Sequence, residues 1–79
     1  MNLQSLITEN CHTFDGIARG RIGTIEVSGN AYDVNYLDNG TVKELLSTGF
    51  GKAPATQEIL DQIITRLEAS GGKFIPASR

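Results

Sequence analysis

Apolar and polar positions alternate most regularly between Ala31 and Leu37, where Tyr32, Val34 and Tyr36 are separated by Asp33 and Asn35. A period of two sends these side chains to opposite faces, the pattern of a strand with one buried face and one wet face. Arg21 to Ser28 has the same period, with Gly23, Ile25 and Val27 on one face and Ile22, Thr24 and Glu26 on the other, and predicts a second strand. Gly29-Asn30 predicts the turn between the two. Asn39-Gly40 readily takes the left-handed conformation of a two-residue hairpin, so Thr41 to Thr48 is predicted to return as a third strand, with Val42 and Leu46 on one face and Leu45 on the other. That stretch also carries a helical signal, a capping-box spacing at Thr41 and Glu44 with Gly49 at the far end. The turn decides for a strand.

Beyond Pro54 the period changes. Ile59, Leu60, Ile63, Ile64 and Leu67 form one stripe at helical spacing, with Thr56 as N-cap, Glu58 suited to the helix dipole and Gly71-Gly72 as the stop. Gly49 to Ala55 reads as a loop, and Phe74-Ile75 before Pro76 as either an edge strand or an apolar plug. At the other end, Leu3, Leu6 and Ile7 behind Asn2 predict a short helix that needs tertiary contacts to persist. His12 to Gly20 reads as a loop or a short irregular strand, with Phe14 and Ile17 anchoring it in the core.

These elements predict a single α+β domain over residues 1–79, a small antiparallel meander of three to four strands packed against one C-terminal amphipathic helix. A strongly bent meander with an extra strand from Phe14 to Arg19 would resemble an SH3-like barrel, as in Tudor or KOW modules, which bind peptides or RNA. The resemblance covers Arg19 to Leu46 and includes no shared motif, so it transfers no binding residues.

At 79 residues and 8.5 kDa, a chain of this size buries only about 60% of its unfolded surface. Ordering costs roughly 1.5 kcal/mol per residue, close to what such a core returns, so a partner or a second copy has room to contribute to stability. The five aliphatics of the helix make a homodimer one such expectation. Nine carboxylates against seven Lys plus Arg give a net charge of -2, which withholds the overall positive field that non-specific phosphate binding needs. The single cysteine, Cys11, cannot close an internal disulfide and suits a reducing compartment. No basic leader and no run of about 20 apolar residues appears, so the reading is a cytoplasmic chain with no membrane partner.

Candidate chemistry is sparse. Asp33, Asn35 and Glu44 match three ligand positions of a calcium loop, but Leu37 and Asp38 fall where an oxygen donor and a glycine are required. Gly49, Gly51 and Lys52 fall short of a phosphate loop, which would need glycine at Leu46 and a hydroxyl at Ala53. Cys11 and His12, one of each kind, make neither a zinc set nor an oriented catalytic pair. Asn39-Gly40-Thr41 meets the glycosylation pattern but reads as a turn. The expectation is therefore no metal, no cofactor and no catalytic residue.

What remains is binding. The first expectation is a small non-enzymatic protein acting on another protein as inhibitor, adaptor or regulator, through a polar hairpin face at Asp33, Asn35 and Asp38 or through the side of the helix that the sheet leaves uncovered; phages and mobile elements often encode accessory proteins of this kind. The second is a nucleic-acid module in which Arg19 and Arg21 clamp phosphates and Tyr36, with other nearby aromatics, offers a stacking surface.

Overall fold

A computed structural model describes residues 1–77. It is an α+β domain of two helices and a six-stranded antiparallel sheet: α1 (Leu3–Asn10), β1 (His12–Phe14), β2 (Ile17–Val27), β3 (Asn30–Asp38), β4 (Lys43–Ser47), β5 (Gly51–Pro54), α2 (Gln57–Ala69) and β6 (Lys73–Pro76). The strands run in the order β1-β2-β3-β4-β5, and β6 pairs with β2. Strand β2 is the axis of the sheet. One of its edges carries β3 from Ala18 to Val27, and the other carries β1 at Ile17 to Arg19 and β6 at Gly23 to Glu26. No ladder among the described strands joins β5 to β1 or β6, so the sheet stays open.

Two tight turns organise the first three strands. Asp15-Gly16 (φ 54 and 78) and Ser28-Gly29 (φ 52 and 80) each put two successive residues in the left-handed region, between the closing pairs Phe14↔Ile17 and Val27↔Asn30. This is the two-residue turn whose twist matches that of the flanking strands, and the glycine accepts its positive φ without a Cβ penalty. The segment expected to be loop or irregular strand, His12 to Gly20, is therefore a regular hairpin. Asn39-Gly40 behaves differently. The loop from β3 to β4 has four residues rather than two, and Asn39 serves it through its side chain, whose Oδ1 accepts from the amides of Thr41 (2.9 Å) and Val42 (2.8 Å). Asp38 Oδ1 accepts from the Gly40 amide at 2.9 Å. Val42 lies in this loop, and Leu45, not Leu46, faces the helices.

Within β2 the register slips between Arg21 and Gly23, a bulge that leaves Ile22 without a partner across the ladder. The extra residue turns Ile22 inward, where it is 0% exposed, although simple alternation assigns it to the wet face. The Ile22 carbonyl is met by the Ala77 amide at 2.9 Å. Beside the bulge, Gly23 lies under the ring of Phe74, and a Cβ there would overlap the ring and the Ile75 carbonyl.

Both helices lie on one side of the sheet. Their Leu3, Leu6, Leu60 and Leu67 join Ile22, Ile25, Val34, Tyr36, Leu45 and Phe74 in one core. The caps of α2 follow the local code: Thr56 Oγ1 accepts from the Ile59 amide at 3.2 Å. At the other end the amides of Gly71 and Gly72 bond the carbonyls of Glu68 (3.1 Å) and Leu67 (2.8 Å), the two bonds of a Schellman motif. Gln57 ties the helices together, its Oε1 accepting from the Leu3 amide at 2.7 Å and its Nε2 donating to the Met1 carbonyl at 2.8 Å. Helix α2 is not the last element, because Phe74 and Ile75 form β6, and Gly51 to Pro54, read as loop from sequence, is strand β5. Among the described residues no helix is long and apolar enough to cross a membrane.

Candidate functional site

The side of the sheet away from the helices is uncovered. Residues directly opposite each other in an antiparallel ladder share a face. The pairs His12↔Arg19 and Phe14↔Ile17, Arg19↔Leu37 and Arg21↔Asn35, and Asn35↔Leu46 therefore set these side chains side by side across β1 to β4. Phe14 is 82% exposed and Ile17 39%, so neither anchors the core as its apolar character alone suggests. Together with His12, Arg19, Leu37 and Leu46 they bound a shallow depression of about 650 Å³.

The electrostatics of this face are uneven. Lys52 and Lys73 have acidic neighbours, Glu44 at 3.8 Å and Glu26 at 3.6 Å. Arg19 and Arg21 have none within 4 Å among the described residues. Arg21 Nη1 donates instead to Thr24 Oγ1 at 2.9 Å. Arg19 thus borders the same depression as an exposed phenylalanine, with Arg21 farther along the same face of β2, on a molecule whose net charge is -2.

This geometry regroups the residues singled out in the sequence. Asp33 and Asn35, assigned to a protein contact, share the uncovered face with Arg19 and Arg21, assigned to nucleic acid, because the cross-strand pairs Thr24↔Asp33 and Arg21↔Asn35 place them there. Asp38 and Tyr36 are on the other side. Asp38 ends β3, where it pairs with Ala18 and Lys43, and Tyr36 is 6% exposed with its hydroxyl 3.4 Å from Asp38 Oδ2. Burial and the neighbouring Asp38 carboxylate hold the Tyr36 phenol above its ordinary value. Its ring offers no platform to a base on the arginine face. The aromatic that does share the arginine face, near Arg19, is Phe14, and the signal that could have found it is Asp15-Gly16, which marks a hairpin and thereby pairs Phe14 with Ile17.

Cys11 and His12 part company as well. Cys11 is half-buried, and burial pushes its thiol up and so lowers the thiolate fraction, whereas His12 is exposed on β1. Among the described residues no three His, Cys, Asp or Glu side chains converge as a metal site would require. No known family, curated protein or solved structure matches the chain.

Proposed function

We propose that this is a small non-enzymatic protein that works by binding another protein, as an inhibitor, adaptor or regulator, through the uncovered face of its sheet. The observation that carries this reading is Phe14, a large aromatic held almost fully in solvent at a two-residue turn, with Ile17, Leu37, Leu46 and Arg19 around the same depression. Interface centres are rich in aromatics and arginine, and a few such residues carry most of the binding free energy. Asp33 and Asn35 supply the polar rim.

The test uses the full chain as bait, wild type against the double variant Phe14→Asp, Arg19→Glu. Neither side chain packs in the core, so the two proteins should melt within a few degrees of each other. Loss of a discrete wild-type partner from the variant supports the face; equal recovery by both rejects it. A second copy of the chain is the competing occupant. Sedimentation of the wild type across a concentration series separates self-association from a foreign partner.

A second reading has its own observation in favour. Arg19, Arg21 and Phe14 on one open sheet resemble the combination of cation and stacking ring that single-stranded nucleic acids bind. Titration with a short single strand at two salt concentrations decides it, because phosphate contacts weaken steeply with salt. Saturable, salt-sensitive binding lost in Arg19→Glu supports this reading, and no binding at low salt removes it.

A further inference from the structure

The helix side of the sheet is only partly filled. Along β4 and β5 the inward positions are small: Ser47 faces Gly51 across the ladder, and Leu45 faces Ala53. A Cβ built on Gly51 would meet nothing within 4 Å. These small residues leave a groove of about 480 Å³ between the sheet and α2, with Val34 and Leu45 among its floor residues and Ile59 and Ile63 on the helix wall. Phe50, 52% exposed, stands at its rim with its ring edge-on to Tyr32, 5.3 Å between centroids and 77° between planes.

The polar part of the lining includes Ser47 and Arg66. Ser47 Oγ is shut off from solvent and has no hydrogen-bond partner. A hydroxyl in that condition costs about 1–3 kcal/mol, and native structures rarely leave one so. Arg66 lines the same groove. Its neighbours one turn away along α2 are Gln62, Ile63, Ala69 and Ser70, all uncharged, and no carboxylate among the described residues lies within 4 Å of it. The acidic residues of the helix, Glu58, Asp61 and Glu68, are not part of the lining.

We propose that this groove is a binding site for a small amphipathic acid, an apolar chain ending in a carboxylate. Its volume lies in the range of roughly 300–1,000 Å³ typical of small-molecule sites, which are mostly apolar with a few placed polar groups. The apolar chain fits against Val34, Leu45 and Ile63. The head group is chosen by the cations of the lining, the Arg66 guanidinium and the Lys52 ammonium: a carboxylate is the acceptor that both can serve, bidentately in the case of arginine. The site is separate from the uncovered sheet face and does not rest on the role proposed for it.

The experiment is a titration of the full isotope-labelled chain with decanoate, kept below its micelle concentration, with decanol as the neutral twin, followed by amide chemical shifts. Decanoate should produce saturable shifts at Ser47, Phe50, Ile59 and Ile63, and decanol should bind more weakly. Arg66→Gln, an exposed substitution that leaves the fold intact, should weaken decanoate by roughly threefold to tenfold without changing decanol. Phe14→Asp should change neither. No saturable shift at millimolar decanoate, or shifts confined to the β1–β2 hairpin, would overturn the site. Equal response to acid and alcohol would overturn the choice of head group.

Discussion

The helix-facing side of the sheet has two halves built on opposite plans. Around β2 and β6, Ile22 and Phe74 join Leu60 in the core, with Ile22 and Leu60 0% exposed, and glycine at position 23 is needed merely to admit the Phe74 ring. Around β4 and β5, Ser47, Gly51 and Ala53 face the same helix and leave a groove. Hydrophobicity alone does not separate the halves, since Leu45 and Val34 are as buried as their neighbours. Side-chain volume does. One half is packed to the density that makes each methylene count; the other keeps space that a ligand can use.

That contrast can be broken by mutation. Leu60→Ala removes a fully buried side chain from the dense half and should cost about 2–5 kcal/mol, read from urea unfolding; a loss under about 1 kcal/mol would mean that this half is loosely packed too. Gly23→Ala adds a methyl where Phe74 and the Ile75 carbonyl already sit and should cost about 1–3 kcal/mol. Ser47→Ala, in the open half, should go the other way and stabilise by about 1 kcal/mol, because it deletes a buried hydroxyl with no partner. A destabilised Ser47→Ala would show that the hydroxyl does have an acceptor in solution.

The smallest effect concerns pH. The folded state holds the Tyr36 phenol above its ordinary value of 10.0 through burial and Asp38. A raised acid binds more protons folded than unfolded, so its contribution is intact below about pH 10 and is lost as pH climbs from there through the folded value. Cys11, raised by burial from 9.0, acts in the same direction from a lower starting point. Unfolding measured at pH 8 and pH 11 should show a loss of stability on the alkaline side, made shallower by Tyr36→Phe. An unchanged slope in that variant would assign the loss elsewhere.

How much of this is legible in the chain depends on the range of the interaction that decides each element. Local signals read well: Thr56 caps α2, Gly71-Gly72 ends it, and Tyr32, Val34 and Tyr36 alternate as a half-buried strand should. Asn39-Gly40 misled on loop length because asparagine can shape a turn through its carbonyl oxygen as easily as through a left-handed backbone. Strand β5 was missed because Gly51-Lys52-Ala53-Pro54 has no strand propensity of its own and forms only because β4 presents a free edge. Ile22 was assigned to the wrong face because one bulge inverts the period beyond it.

The candidate surface was less legible than the fold. Phe14 looks like a core residue in one dimension, and only its pairing with Ile17 shows that it faces away from the helices. Asp33, Asn35, Arg19 and Arg21 were separable by charge but not by place. Their common face follows from the β2–β3 register, which the Ser28-Gly29 turn sets.

The position of β2, laddered along one edge by β3 and along the other by β1 and β6 in succession, has a kinetic meaning. From Gly23 to Glu26, where β2 is laddered on both edges, opening it means freeing β6, a strand distant in sequence that arrives only after α2. Protons on the β2 amides should therefore trade with deuterium only when the whole molecule opens, while those of β5, held from one side, are released by local fraying.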